Sequence, residues 1–195
     1  MKKSTIITIV VIVVLLFIIF GMYNGLVKKQ EAVEAQWAQI ENVYQRRYDL
    51  IPNIVNAVKG YSEHEQSTLV EVMDARAKAT SINIDPSKAT PEQFAQFQEV
   101  QDQLTGAVSR LLVTVERYPD LKASEQFSEL IVELEGSENR IANERKKFNE
   151  KAQEYNQSIR LFPHNIIASI FGFEKIAYFK AKDGADTAPV VDFSK

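Results

Sequence analysis

An uncharged apolar run near the amino terminus constrains this chain more than any other feature. From Ser4 to Tyr23 the residues STIITIVVIVVLLFIIFGMY include no charge and are mainly Ile, Val, Leu and Phe. At 1.5 Å per residue, a helix of this length spans about 30 Å, the thickness of a bilayer's hydrocarbon core. The run therefore predicts a transmembrane helix over residues 4–23, preceded by a short basic amino terminus at residues 1–3.

A cleaved signal peptide is the alternative interpretation of this run. Its apolar core is long for that role, and no A-x-A-like cleavage site follows. The ending FGMYN resembles a lipoprotein site only up to the glycine, because Met22 stands where the lipid-bearing cysteine is required. We therefore interpret the segment as an uncleaved single-pass anchor, with Tyr23 at the membrane interface and Lys28 and Lys29 among the headgroups.

Basic residues lie on both sides of the run and nearly balance each other. Lys2 and Lys3 precede it, while Lys28 and Lys29 follow it closely. The positive-inside rule then gives a slight preference for a cytoplasmic amino terminus. This places the large carboxyl-terminal domain outside the cytoplasm, with the opposite orientation as the alternative.

Beyond the run, apolar residues recur at helical spacing, which predicts an all-α chain. The 7 glycines and 6 prolines are too few for a turn-rich β fold. The pattern predicts four long helices, and Thr90 before Pro91 is a suitable N-cap for the third of them. We expect an elongated antiparallel four-helix bundle whose first helix continues the transmembrane helix. The predicted helices are Asn24–Tyr48, Leu50–Ser81, Pro91–Arg117 and Ser124–Arg160.

The stretch RRYDLIPN, from Arg46 to Asn53, places an aspartate and a proline within this helical pattern. Asp49 can cap a second helix, and Pro52 then falls in its first turn, where the missing N–H costs no bond. Arg46 and Arg47 would lie in the last turn of the first helix, the favourable end for cations. We predict a tight turn here, at the tip of the bundle far from the membrane. Termination does not require both arginines, so an anion or partner contact at this tip remains open.

The residues after Pro163 are short, apolar and aromatic. HNIIASIFGFEKIAYFKA, residues 164–181, fits a short helix packed on the end of the bundle, and it equally fits an interfacial or partner-binding element. The last residues, 182–195, read KDGADTAPVVDFSK and are predicted to form a flexible tail.

Composition and motifs exclude several kinds of chemistry. The chain has no cysteine, which excludes disulfides and thiolate ligands, and its net charge of −3 does not suggest a nucleic-acid partner. His64 begins HEQST, which starts like a zinc-protease motif, but Thr68 occupies the position of the second required histidine. The only other histidine is the distant His164. We expect no catalytic, cofactor-binding or metal-binding residue, no cofactor and no enzyme activity.

Several polar residues nevertheless fall on or near the apolar stripes. They could form a proton or metal relay, but a di-iron bundle requires paired Glu-x-x-His motifs, and the chain has none. We interpret them as interhelical ion pairs that set the register of the helices, because buried charge must be paired. These residues are Glu65, Arg76, Gln101, Glu138 and Arg145.

Long motifs run through the chain from Tyr23 to Ala181: YNGLV, WAQIENVYQRRYDLIPNIVNAVKGYSEHEQSTL, ERYPDLKASEQF, ELEGSENRIANERKKFNE and YNQSIRLFP. Through them the chain resembles the LemA family of bacterial proteins. The resemblance implies an amino-terminal membrane anchor and a helical bundle over residues 24–181, and it brings no established catalytic residues. Some relatives carry a lipoprotein-type cysteine where this chain has Met22, which favours an extracytoplasmic bundle.

These observations predict a non-enzymatic structural or scaffolding protein that self-associates through its helical domain. Its partners would be the lipid bilayer, further copies of the chain and a membrane-protein partner, but no nucleic acid. The predicted location is the bacterial inner (cytoplasmic) membrane, with the domain in the periplasm or otherwise outside the cytoplasm. One alternative is an adaptor that recruits a membrane protease or signalling protein, and another is a ligand-binding or enzymatic bundle that uses the polar residues.

Overall fold

The computed structural model describes residues 3–60 and 65–180, and these ranges contain helices and no strand. Four of the helices are long, as the periodicity predicts, and two are short. An all-α chain is thus confirmed. The helices are α1 (Lys3–Lys59), α2 (Gln66–Ser81), α3 (Pro91–Val115), α4 (Pro119–Lys122), α5 (Glu125–Ser158) and α6 (His164–Phe171).

Helix α1 contains 57 residues and is about 85 Å long at 1.5 Å per residue. Its first part is apolar on all sides, and the side chains from Lys3 to Phe20 are exposed. Among the described residues, α1 is the one helix long and apolar enough to cross a membrane. From Leu26 onward the same helix buries one stripe in the bundle: Leu26, Val33, Trp37, Ile40 and Tyr44. The predicted continuity between the apolar run and the first bundle helix is confirmed.

The predicted turn at RRYDLIPN is wrong, because α1 continues through it to Lys59. Pro52 lies inside the helix, and the connection to α2 comes later, between Gly60 and Glu65. Burial explains the continuation. Beyond Pro52 the helix still covers a core stripe, so ending it at Asp49 would expose apolar surface. That stripe is Ile51, Ile54, Val55 and Val58.

Side-chain contacts show how the long helices are arranged. Gln36 bonds Glu144, while Arg47, further along α1, bonds Glu138, so α1 and α5 are antiparallel. Helices α2 and α3 are antiparallel as well, since contacts join residues 71 and 110 and residues 79 and 101. Thr90 caps α3 in a capping box with Gln93, which confirms the predicted start of that helix.

Aromatic side chains fill the middle of the core. Trp37 of α1 lies 5.3 Å from Phe97 and 5.5 Å from Phe148, measured between ring centroids. Phe94 and Phe179 meet at 4.8 Å with their rings nearly perpendicular, which is a favourable arrangement for aromatic pairs. Three helices and the carboxyl-terminal segment therefore share one apolar centre.

The segment after α5 forms the short helix α6 and then continues without regular structure. Gly172 ends α6 with a φ of 73°, a conformation that glycine adopts without strain. The following residues, Phe173–Lys180, form a strap along the bundle. Asn156 accepts from the N–H of Ile176 at 2.9 Å and donates to its C=O at 2.8 Å. Asn149 does the same for Phe179.

These side-chain amides satisfy main-chain groups that would otherwise cost free energy when covered by protein. The short helix predicted after Pro163 is present, but it extends only to Phe171. The predicted tail at residues 182–195 lies outside the described residues, as do Tyr61 and His64.

Candidate functional site

The most buried charge in the described chain belongs to Arg47, whose side chain is 1% exposed. Its guanidinium donates to Thr105 Oγ1 at 2.9 Å and to Glu138 Oε1 at 3.0 Å, and a further short bond reaches Gln101 Oε1. We call these four residues the Arg47 cluster. The cluster joins α1 to α3 and α5, because Thr105 and Gln101 lie on α3 and Glu138 lies on α5.

Two tyrosines pack on the guanidinium. The Cζ atom of Arg47 lies 5.1 Å from the ring centroid of Tyr44 and 5.8 Å from that of Tyr48, within the range of cation–π attraction. Burial raises the pKa of Tyr44 to about 12, although Arg145 and Arg47 act in the opposite direction. Burial also raises the pKa of Tyr48, partly offset by the bond from Gln101. Both phenols therefore stay neutral at physiological pH.

Arg76 compensates for the proline in α1. A helical residue normally donates its N–H to the carbonyl four positions earlier, but Pro52 has no N–H to offer Tyr48. The carbonyl oxygen of Tyr48 accepts instead from Nε of Arg76 on α2, at 2.7 Å. The proline is thus tolerated within the helix because a side chain from a neighbouring helix replaces the missing donor.

The other predicted polar residues lie apart from this cluster. Glu65 is buried and pairs with Arg117 at 2.9 Å, next to Tyr118, where the start of α2 meets the end of α3. Arg145 lies 3.9 Å from Asp102 and stacks over the ring of Phe179 at 4.5 Å. These contacts join different elements, which agrees with the interpretation of the polar residues as interhelical pairs.

Two further outcomes concern the arginines predicted to cap a helix end. Arg46 pairs with Glu133 on α5 at the surface, and Arg47 is the centre of the buried cluster, so neither serves as a cap. The pattern of apolar positions in α1 contains the signal for Arg47. Position 47 continues the buried series 37, 40, 44 and 51 at spacings of three and four, so its side chain points inward.

The cluster has donors and acceptors but no feature of a reaction centre. The two terminal nitrogens of its guanidinium donate to an amide, a hydroxyl and a carboxylate, Nε has no hydrogen-bond partner among the described residues, and the group is shielded from solvent. Within residues 3–60 and 65–180, no group of three His, Cys, Asp or Glu side chains is arranged to hold a metal ion. Each partner of Arg47 has a fixed position along its own helix, so these bonds form only when α1, α3 and α5 are in this register. The arrangement therefore agrees with the interpretation of the polar residues as contacts that set the register.

A surface groove with a volume of about 970 Å³ lies between α2 and α3. Small residues such as Ala75 and Gly106 form its floor, and Val70 is exposed at its edge. We call it the α2–α3 groove. Charges of both signs line it: Glu71, Asp74, Glu99, Asp102, Lys78, Arg110 and Lys180.

The fold and its polar contacts define a helical-bundle protein with a candidate amino-terminal membrane anchor. The LemA family model matches residues 36–193, which is more than half of the chain. The chain therefore belongs to the LemA family, as the resemblance of its motifs indicates. The match begins within α1, after the apolar run, and covers the rest of the bundle.

Named relatives share much of the chain at modest identity. The magnetosome protein MamQ of Magnetospirillum gryphiswaldense is 27% identical over 87% of this chain and 68% of its own length. A protein named LemA from Metamycoplasma hominis is 26% identical over 85% of this chain and 72% of its own length. Neither name designates a reaction, and together with the apolar helix they indicate a membrane-associated protein.

Proposed function

We propose that this protein is a membrane-anchored scaffold that self-associates through its helical domain. The observation that carries the proposal is the continuity of α1, which runs from the apolar run into the centre of the bundle without a break. An unbroken helix transmits orientation from the membrane to the bundle, whereas a flexible linker would not. The Arg47 cluster supports the same role, because it holds three helices in one register.

The α2–α3 groove is the surface we assign to self-association. Two copies related by a twofold axis present the same surface to each other, so the surface must complement itself. The groove carries acidic and basic side chains side by side, as Glu71 and Arg110 show by pairing across it. Its small floor residues allow a neighbouring helix to approach closely, and Val70 offers an apolar contact at the edge.

Cysteine cross-linking in membranes tests this assignment, because the natural chain has no cysteine. We compare Val70→Cys in the groove with Val132→Cys on α5, two exposed valines of 52% and 66% exposure. Oxidation should give a disulfide-linked dimer for V70C and little for V132C. Equal cross-linking of both variants would show random collision and contradict the groove as the interface.

Light scattering of the detergent-solubilised natural chain complements the cross-linking. A particle that contains two or more copies supports self-association, and a clean monomer at micromolar concentration contradicts it. A cross-linked adduct with a different protein, identified by mass spectrometry in cells, would favour an adaptor that recruits a membrane partner.

We further propose that the bundle lies outside the cytoplasm, anchored in the inner membrane. Lys2 and Lys3 before the apolar run support this orientation through the positive-inside rule. A reporter fused after Lys195 that is active only outside the cytoplasm tests it. Activity of a cytoplasm-specific reporter at the same position would reverse the orientation.

A further inference from the structure

Helix α6 lies beside the part of α1 that leaves the apolar run. The ring of Phe171 packs 4.8 Å from the ring of Tyr23, and Phe173 packs 5.6 Å from it. Ile167 and Ala168 of α6 are buried on the same side. Because Tyr23 is the last residue of the predicted membrane segment, α6 stands at the height where that segment meets water.

The opposite side of α6 is apolar and uncovered. Ile166 is 50% exposed and Ile170 is 69% exposed, and they lie four residues apart on one face of α6, while Phe162, just before the helix begins, is 80% exposed. We call this the α6 face. Its members are Ile166 and Ile170 of α6 together with Leu161 and Phe162, which lie just before the helix.

Exposed apolar side chains are more concentrated on the α6 face than on the rest of the bundle surface. Elsewhere in the described bundle, the exposed large apolar side chains are spread over α2, α3, α5 and the strap: Val70, Met73, Val113, Val132 and Tyr178. The residues from Leu161 to Phe173 include no Asp, Glu, Lys or Arg. A concentrated uncharged face on an otherwise polar domain marks an interaction surface.

Charged residues border this face. Arg160 and Lys175 flank the uncharged stretch and are exposed, as are Lys28 and Lys29 on the neighbouring part of α1. Basic side chains around an apolar helical face are the pattern of an interfacial helix, which places its apolar side at the boundary of headgroups and acyl chains. Between Arg160 and Lys175, Glu174 is the one acidic residue.

We propose that the α6 face rests in the surface of the bilayer that α1 crosses, as a second membrane contact of the same chain. Continuity with the apolar run identifies lipid as the occupant, since the packing on Tyr23 holds α6 at the membrane boundary. This contact depends on the membrane anchor but not on self-association. One helix alone leaves the bundle free to tilt and rotate over the membrane, whereas a second contact to one side of α1 restricts both motions.

Lipid-borne quenching tests the contact in the full chain. Single cysteines at Phe162, Ile166 or Ile170 are labelled with the fluorophore NBD, and the protein is reconstituted into phosphatidylethanolamine–phosphatidylglycerol vesicles that contain a nitroxide-labelled phospholipid. We expect blue-shifted emission and loss of most intensity with the quencher lipid. Ile12→Cys in the apolar run is the positive control, and Val132→Cys is the negative control with a comparably exposed side chain.

The outcomes separate lipid from protein as the occupant. A second copy covering the α6 face would shift the emission but would protect the probe from quenching lipid, which overturns the proposal. Emission and quenching equal to those of Val132→Cys would show a face open to water and also overturn it. Absence of quenching at Ile12→Cys would show that the apolar run is not inserted in the bilayer. That result would contradict both the membrane anchor and the α6 contact that depends on it.

A charge placed on the face provides a second, independent variant. Ile170→Glu, combined with the probe at Ile166, should abolish most of the blue shift and the quenching. Val113→Glu carries the same charge on the exposed surface of α3 and should leave the probe unchanged. Retention of full quenching in I170E would contradict the proposal, and unchanged helical circular dichroism in both variants shows that the bundle is folded.

Discussion

The two halves of α1 are one unbroken helix in two different surroundings. From Lys3 to Phe20 every described side chain is exposed and nearly all are apolar, with no polar face. From Leu26 to Val58 apolar residues form one buried stripe, and polar residues occupy the rest of the helix surface. The first pattern suits a helix surrounded by hydrocarbon, and the second suits a helix with protein on one side and water on the other.

The comparison shows that exposure has a different meaning in each half. A continuous band of exposed isoleucines suits a helix surrounded by lipid, whereas a band of that size on the second half would be an interaction surface on a domain that faces water. The second half also contains a buried charge, Arg47, and a proline within the helix, Pro52. Side chains from neighbouring helices pair with that charge and supply the hydrogen-bond donor that the proline lacks.

The largest expected effect comes from removing the buried charge of the second half. Arg47→Ala truncates a fully buried side chain, which costs about 2–5 kcal/mol, and it leaves the buried Gln101 without its partner, which adds about 1–3 kcal/mol; Glu138 also loses its ion pair but is partly exposed to water. Chemical denaturation of the full chain in detergent micelles, followed by circular dichroism, measures it. Arg46→Gln on the exposed side is the control and should cost less than about 1 kcal/mol. Equal losses would indicate that both arginines act at the surface.

A pair of identical substitutions compares the two halves directly. Ile40→Ala in the core creates a cavity, and such changes cost about 2–5 kcal/mol. Ile12→Ala in the apolar run removes a side chain that faces outward, so the unfolding free energy of the bundle should stay nearly the same. A large loss from Ile12→Ala would mean that the first half also packs against protein.

The next effect concerns the proline and its replacement donor. Arg76→Met leaves the Tyr48 carbonyl without a partner in a covered position, which costs about 1–3 kcal/mol. Pro52→Ala restores the helical N–H, so Arg76→Met should cost clearly less in the Pro52→Ala background. A double-mutant cycle with thermal or chemical unfolding measures this coupling. Additive effects of the two substitutions would separate Arg76 from the proline.

The smallest effect at neutral pH is expected from Tyr44→Phe. The hydroxyl of Tyr44 is buried without a hydrogen-bond partner among the described residues, so its removal should change stability by less than about 1 kcal/mol. A pKa raised to about 12 in the folded chain favours the neutral phenol. Its contribution to stability is therefore complete below the unfolded value near pH 10 and is lost as pH rises towards 12.

Tyr44→Phe should thus reduce the loss of stability between pH 10 and about 12, and unfolding at a series of alkaline pH values measures the difference. Tyr155, whose pKa burial also raises to about 12, remains in the variant and retains its own share of the effect. An unchanged pH profile would show that Tyr44 ionises without cost in the folded chain.

Local patterns made several parts of the fold predictable. The start of α3 followed from Thr90 and Pro91, because capping depends on residues within one helical turn. The buried stripe of that helix follows the helical spacing of its apolar residues, and its buried members include Phe94, Phe97, Gln101, Leu104, Val108, Leu111 and Val115. Such features require no knowledge of distant residues.

The prediction of a turn at RRYDLIPN was wrong because the outcome there depends on a residue that is distant in sequence. Asp49 and Pro52 are sound local signals for a helix start, but the donor that makes the proline tolerable is Arg76, on another helix. The strap shows the same limit. Asn149 and Asn156 lie within α5 as ordinary polar residues, and only the fold reveals that they hold the main chain of Phe179 and Ile176.

By itself, the sequence determined the apolar segment, the helical class and the inward positions of each helix, because these depend on hydropathy and spacing along the chain. Only the tertiary structure decided that α1 continues through Pro52, which groups of α3 and α5 bond to Arg47, and that α6 stands beside Tyr23. Each of these depends on groups far apart in sequence, whose meeting is set by the packing of whole helices.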